Sequence, residues 1–559
     1  MSPWAPTHEV TNQPPPLEDY DVFGADPALR EALEREGAGW AAEDLHRLGR
    51  RAGSAEAQET GRRANAAPPV LRSHDRFGHR IDAVEYHPAY HELMTVAVGE
   101  GLHAAPWAEG RAGAHVARAA KIITWYQVDG GHICPISMTY SVVPALRHHA
   151  GLAAEWLPRL CSRRYDPADR PAGEKAGAIS GMGMTEKQGG SDVRANTTAA
   201  RPAPADGDGD GVYRLTGHKW FCSAPMSDGF LMLAQAPAGL SCFWVPRWTP
   251  DGERNRILIQ RLKDKLGDRS NASSEIELAD TYGVLVGGEG RGVRTIIEMV
   301  SHTRLDCSLG SAAIMRQGVA QATWHAHHRA AFGRRLDEQP LMANVLADLA
   351  LESEAATTAA LRLARAYDGA AAGDEGEALL TRLATPVVKY WTCKRAPQHA
   401  AEALECLGGN GFVEDSGLPR LFRQSPLNGV WEGSGNVICL DVLRALRRSP
   451  EALEAWWSEV DLAAGADRHL DAAATELRKA LAGVDGGPDG DGGEVAARRL
   501  VERMAVVFCG SLLVRHAPAA VADAYCVSRL AGEGSAVFGT LPSGVDVRSI
   551  VERARPTTS

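Results

Sequence analysis

Gly181-Met-Gly-Met-Thr-Glu-Lys-Gln-Gly-Gly-Ser-Asp is the stretch at which this chain changes character. Its glycines expose backbone, and Thr185 and Ser191 add hydroxyls. Such a loop can offer N–H and O–H donors to a flat heteroaromatic ring or to phosphate oxygens, or it can be a structural turn. Upstream, from about Asp26 to Arg170, the pattern is helical. Asp26 followed by Pro27 is a helix start, and Leu152-Ala-Ala-Glu-Trp-Leu-Pro-Arg-Leu has helical spacing. Downstream, to about Gly288, short β-type runs such as Phe230-Leu-Met-Leu-Ala and Cys242-Phe-Trp-Val-Pro alternate with turn signals, as in a small barrel or sandwich. Helices return from Val293 to Arg448, for example Gly310–Ala331 and Leu341–Ala366, and again after Pro450. This order excludes the βαβ alternation of a doubly wound fold.

The expected architecture is therefore mostly α with a central β domain. Residues 1–25 form an extended arm, 26–175 an N-terminal α-helical domain, and 176–290 a middle β domain. A C-terminal helical bundle covers 291–448, and an additional helical domain covers 449–559. The 559 residues suffice for a full core without staples. A hydrophobic content of 44% and a charged content of 23% exclude a disordered chain, and no apolar run is long enough to span a membrane. Met1–Pro16 is polar and proline-rich, unlike a secretory signal, so a cytoplasmic location is expected. Ten cysteines without CxxC spacing read as reduced, mostly buried thiols. The net charge of −10 argues against a basic coat over the whole chain.

Other signals are weaker. Asp206-Gly-Asp-Gly-Asp-Gly starts like a calcium loop but has Gly217 where a bidentate Glu is needed, so it reads as a hairpin loop. Gly287-Gly-Glu-Gly-Arg-Gly has the wrong register for a dinucleotide fingerprint and reads as a tight turn into a helix. His325, His327 and His328 lack a completing ligand and read as a solvated helix face, with no metal expected. Gly217-His-Lys-Trp-Phe-Cys-Ser ends a strand in aromatics and a hydroxyl; the aromatics could also be core. Asn428-Gly-Val-Trp-Glu-Gly-Ser-Gly-Asn carries one carboxylate, Glu432, in an uncharged run. A carboxylate in apolar surroundings suits a general base near neutral pH; the alternative is an acidic helix cap.

Together and in this order, these segments resemble the acyl-CoA dehydrogenase family. The matching motifs are Met184–Asp192, Gly217–Ser223, Arg329–Gly333, Gly408–Gly411 and Glu432–Ser434. The arm at Thr7–Pro14, the whole string from Gly181 and the run after Trp431 are similar to its AidB-type branch, associated with the adaptive response to alkylation damage. The resemblance implies FAD held between the β domain and the C-terminal helices. It assigns to the flavin Met182, Gly183, Met184, Thr185, Gly190, Ser191, Phe221, Cys222 and Ser223. Arg329, Phe332, Gly408 and Gly409 would meet the ADP half across a subunit boundary of a homotetramer, a dimer of dimers. Val430, Trp431, Gly433, Ser434, Asn436 and Leu440 would complete the pocket.

By the same resemblance the chemistry is α,β-dehydrogenation of an acyl-CoA thioester with Glu432 as base, since Thr303, at the position another branch uses, has no carboxylate. The branch also implies duplex DNA as a partner through a basic strip at Arg444, Arg447, Arg448, Arg498 and Arg499, continued by Arg503, Arg515 and Arg529. Residues 449–559 nevertheless hold 16 acids against 11 bases, the wrong sign for a dedicated DNA module. The two functions left open are an AidB-type flavoprotein associated with DNA and weak in dehydrogenation, and a short- or branched-chain acyl-CoA dehydrogenase without DNA binding.

Overall fold

The computed structural model describes residues 7–203, 211–482 and 491–557. Positions 206–210 of the calcium-like run and 483–490 of the late glycine/aspartate loop lie outside the described residues. Seven strands build the central domain: β1 (Ser180–Gly183), β2 (Ala199–Pro202), β3 (Val212–Ser223), β4 (Gly229–Ala236), β5 (Gly239–Pro246), β6 (Ile257–Leu262) and β7 (Ser273–Val286). Pairing runs β1-β4-β2-β3-β7-β5, and β5 pairs back onto β4. The sheet thus closes into a barrel, with β6 on β7 outside the ring. β4 is buried along nearly its whole length because both faces are covered. Phe230, Met232 and Ala234 fill one cluster with Phe243, Val245 and Ile276, while Leu231 and Leu233 face a second cluster with Cys134, Met138, Ile296 and Met299. Period-two alternation therefore sorts one strand between barrel interior and helices.

The N-terminal section contains α1 (Ala114–Tyr126) and α2 (Ile133–Leu146), both almost wholly buried. It is not all helical. Val70–His74 and Arg80–Glu85 form an antiparallel hairpin. Asp75 Oδ1 accepts the amides of Phe77 and His79 at 2.8 and 2.9 Å, and Gly78 supplies φ +88°. Asp82 Oδ1 accepts the amide of Ile259 at 3.1 Å and ties the hairpin to the barrel.

The bundle has four helices: α3 (Gly292–His328), α4 (Pro340–Ala371), α5 (Glu375–Glu405) and α6 (Gly435–Arg448). α3 begins well before the expected Gly310, directly after the Gly287 and Gly290 turns, as the dinucleotide-like run foretold. Then come α7 (Pro450–Asp461), α8 (Arg468–Ala482), α9 (Asp491–His516), α10 (Ala519–Tyr525) and α11 (Val547–Ala554). α9 packs on α4, α5 and α6, and one apolar cluster runs from Leu17 through the bundle to Val551. The described part of the arm lies against its own chain: Trp324 donates to Pro15 O at 2.8 Å, and Leu17, Val22 and Phe23 are buried.

Candidate functional site

The Gly181 string leaves β1 and is locked to the barrel by its own acid. Glu186, fully buried, accepts hydrogen bonds from Lys219 Nζ (2.8 Å), Thr197 N (2.7 Å), Thr198 N (3.2 Å) and Gln188 Nε2 (2.8 Å). Burial alone would push its carboxyl up; the Lys219 ammonium and these donors outweigh that and hold it at about 2. Lys219, the lysine of the second motif, also donates to Leu233 O at 2.7 Å. Trp220 N donates to Thr185 O at 2.8 Å, which fixes the loop beside Phe221. Glu186 and Lys219 stand inside the quoted motifs, yet sequence reasoning gave neither a role.

Around this lock Met182, Met184, Thr185 and Ser223 are half-buried, Gly183 is buried, and Gly190 and Ser191 are exposed. Phe221 is an apolar ring left 51% exposed at the end of β3. Cys222 corrects the expectation: its side chain is buried in the barrel cluster, so only its backbone can face a ligand. At Gly190 a Cβ would lie 2.3 Å from Thr185 Oγ1, so the loop backbone approaches that hydroxyl more closely than any side chain permits.

The third motif reaches the same place. Trp431 packs on the cluster that includes Met182 and Met184, and its Nε1 donates to Asn428 Oδ1 at 3.0 Å. Glu432 has φ +57° and Gly433 φ +98°. For a non-glycine residue that conformation costs about 1–2 kcal/mol and persists only where its surroundings dictate it. Lys389 Nζ donates to Trp431 O (2.9 Å) and Gly433 O (2.6 Å), and Arg304 Nε donates to Glu432 O (3.0 Å). Arg304 is held by Asp441 at 2.6 Å. Thr303 Oγ1 donates to the carboxylate itself, Glu432 Oε2, at 2.6 Å. Burial raises the Glu432 carboxyl above its ordinary value, against the opposing pull of Thr303, Lys389 and Arg304. Cys134 belongs to the same apolar cluster, against which Met182 and Met184 of the first motif and Trp431 of the third all pack.

Arg329, Phe332, Gly408 and Gly409 form a separate group. Gln13 Oε1 accepts from both Arg329 Nη1 and Asn410 Nδ2 at 3.3 Å. Asn12 pairs with both backbone groups of Ala330 at 2.8 Å. Phe332 sits at φ +54° with 98% of its surface exposed, and Phe412 is 81% exposed. Val430, Ser434, Asn436 and Leu440 are exposed around the start of α6.

The basic strip divides. Arg444, Arg447, Arg448, Arg498 and Arg499 are exposed. Arg498 Nε donates to Asn436 Oδ1 at 2.8 Å, so one residue of the expected strip touches one expected at the cofactor. Arg515 and Arg529 correct the expectation: Arg515 pairs with buried Glu459, and Arg529 with buried Asp348 and Glu352. Arg503 pairs with Glu476 at 3.3 Å. His325 is buried rather than solvated, and His327 Nδ1 lies 2.7 Å from Asp337.

Three family models match: the adaptive response protein AidB N-terminal domain over residues 12–167, the acyl-CoA dehydrogenase middle domain over 181–281, and the acyl-CoA dehydrogenase C-terminal domain over 290–447. The chain belongs to the acyl-CoA dehydrogenase family, FAD-dependent oxidoreductases acting on CH–CH groups. Within it the chain is of the AidB type, 46% identical to the putative acyl-CoA dehydrogenase AidB of Escherichia coli over 93% of this chain and 94% of that one. It is 31% identical to acyl-CoA dehydrogenase family member 11 of Caenorhabditis elegans over 90% of this chain and 84% of that one. The crystal structure of Caenorhabditis elegans ACDH-11 in complex with C11-CoA matches with TM-score 0.84, 28% identity and coverage of 93% and 92%. The Bd2924 apo-form matches with TM-score 0.81, 29% identity and coverage of 91% and 100%. The residues fit FAD: a half-exposed Phe221 ring with Lys263 Nζ 4.5 Å from its centroid, hydroxyls at Thr185 and Ser223, and a glycine backbone drawn close to Thr185.

Proposed function

We propose that this chain dehydrogenates an acyl-CoA thioester at its α,β bond, with Glu432 taking the α-proton. The observation that carries the reading is Glu432 itself. A partly exposed carboxylate is held on a left-handed backbone by Lys389 and Arg304, beside the loop and the ring that fit a flavin. A base raised by burial above the ordinary carboxylate range suits removal of a proton that a polarised thioester makes acidic. Thr303 fixes one carboxylate oxygen and leaves Oε1 to receive the proton. Bound FAD supplies the hydride acceptor. Met182, Thr185, Phe221 and Ser223 line the position of its ring, Trp431 closes the site against the same apolar cluster, and Arg329 with Gly408 and Gly409 receives the ADP half. The exposed Phe332 and Phe412 support a second copy of the chain covering that half, as in the homotetramer the family resemblance implies. No helix among the described residues is long and apolar enough to cross a membrane, which accords with a cytoplasmic place.

The test is an anaerobic titration of the purified flavoprotein with short, branched and C11 thioesters, followed by visible flavin absorbance. At least one thioester bleaches the flavin, and Glu432→Gln slows that bleaching by about 100- to 10,000-fold with FAD content unchanged. Survival of the yellow colour with every thioester refutes the reading.

Association with duplex DNA and a part in the alkylation response form the second reading. Five exposed arginines on α6 and α9, two helices joined by the Arg498–Asn436 hydrogen bond, support it. It requires salt-dependent duplex binding that weakens in Arg444→Ala; binding that is absent or indifferent to salt refutes it.

A further inference from the structure

Lys389 is a buried cation that holds the backbone on either side of the base. It stands on α5 behind Val387 and Val388, with 1% of its surface exposed. An ammonium in such a place is costly unless it is well partnered. Its hydrogen-bond partners among the described residues are two backbone carbonyls, those of Trp431 and Gly433. These carbonyls bracket one residue, Glu432, whose own carbonyl is taken by Arg304. Three consecutive carbonyls are thus held by two cations, and the middle residue, Glu432, is in the left-handed region although it is not glycine. In an extended strand the carbonyls of residues i and i+2 face the same side but stand about 6.6 Å apart, too far for one ammonium to bond both at 2.9 and 2.6 Å; the left-handed turn at Glu432 brings them within reach.

We propose that Lys389 is the positioning residue of the base: it holds the backbone of Glu432 in the left-handed turn and so aims the carboxylate at the reacting carbon. The proposal rests on the dehydrogenase reading for its kinetic consequence, but not for its structural one. The charged and titratable groups around Glu432 are few. Lys389 comes from α5, Arg304 and Cys307 from α3, Cys134 from α2, and Asp441 on α6 stands behind Arg304. Removing Lys389 removes one of the two cations that favour the ionised carboxylate.

The experiment uses the full-length, FAD-loaded protein and the variants Lys389→Met and Lys389→Arg. In Lys389→Met the FAD content stays near that of the parent. The rate of flavin reduction by the most reactive thioester falls on the order of 100-fold, the loss expected for a base displaced by about 1 Å. The acid limb of the pH–rate profile moves to higher pH, because the carboxylate keeps its proton more tightly without the neighbouring cation. Lys389→Arg leaves the limb in place and recovers part of the rate. Should Lys389→Met lose its flavin, Lys389→Gln, which keeps donors for the two carbonyls but no charge, retains part of the rate while the acid limb still moves to higher pH.

A second readout separates this proposal from the dehydrogenase reading. The infrared band of the protonated Glu432 carboxyl, assigned by its loss in Glu432→Gln, titrates at higher pH in Lys389→Met than in the parent. That shift, together with faster amide exchange over residues 431–434 in Lys389→Met, upholds the positioning role even where no thioester reduces the parent, an outcome that refutes the dehydrogenase reading alone. An unmoved band and an unmoved acid limb in Lys389→Met overturn the proposal.

Discussion

Lys219→Met replaces the ammonium that neutralises Glu186 with an apolar chain of similar length. The barrel cluster accepts the new side chain; Glu186 is left in the protein with Thr197, Thr198 and Gln188 as donors but no cation. Breaking a buried pair from one side costs about 3–5 kcal/mol, because the remaining charge is uncompensated. The pH sets a ceiling on that cost, since the carboxyl can escape by taking a proton. From its ordinary value of 4.5 to pH 7 is 2.5 pH units, and each is about 1.4 kcal/mol, giving roughly 3.4 kcal/mol. In the parent the carboxyl is held at about 2, so its contribution is complete above about 4.5 and is lost as pH falls from there through 2. In Lys219→Met the sign reverses: the folded state holds a proton that the unfolded chain has released, so its deficit shrinks as pH falls from 7 to 5. The deficit is expected to be about 2.8 kcal/mol larger at pH 7 than at pH 5, two pH units at about 1.4 kcal/mol each. Glu186→Gln added to Lys219→Met removes the pH dependence. The assay is native-state hydrogen exchange read by mass spectrometry on peptides covering 184–198 and 213–222, corrected for intrinsic exchange at each pH. A Lys219→Met protein whose loop opens no more easily than the parent's, or whose deficit does not change with pH, refutes the argument that this pair locks the loop.

Two further outcomes are expected. Thr303→Val removes the 2.6 Å hydrogen bond to Glu432 Oε2 without changing side-chain volume much, and a hydrogen bond to a charged group is worth about 1.5–3 kcal/mol; the acid limb of the pH–rate profile moves to higher pH, as stopped-flow reduction across pH would register. Asn12→Ala breaks both hydrogen bonds to Ala330 and frees the turn carrying Arg329 and Phe332; FAD affinity, measured by titrating the apoprotein, falls about tenfold, equivalent to about 1.4 kcal/mol, while the rate of reduction at saturating FAD is unchanged.

Much of the architecture was legible because it is written in local periodicity. The closed barrel follows from runs such as Phe230–Ala234, in which alternate residues must be covered on both sides. The bundle follows from long Leu/Ala/Val stripes, and the start of α3 at Gly292 from the glycine turn read as leading into a helix. The hairpin at 70–85 was missed because its signal is an Asp75 turn among polar strands that gain their cover only from the barrel. Of the candidate site the sequence offered the motifs; the structure packs Met182, Met184 and Trp431 against one apolar cluster and bonds Trp220 N to Thr185 O.

By itself the sequence determined the residue types the chemistry requires, their order, and the backbone freedom supplied by glycines at 190 and 433. Only the tertiary structure decided what each charged residue is for. Glu186 and Lys219 are 33 residues apart in the chain, and Lys389 and Gly433 are 44 apart, and nothing in local spacing encodes those meetings. Arg515 and Arg529 read as surface base in the sequence and stand in ion pairs with buried acids in the fold. The reason is physical: periodicity records which face of an element is buried, whereas a buried charge is tolerated only beside its partner, and the partner is supplied by whichever distant element packs against it.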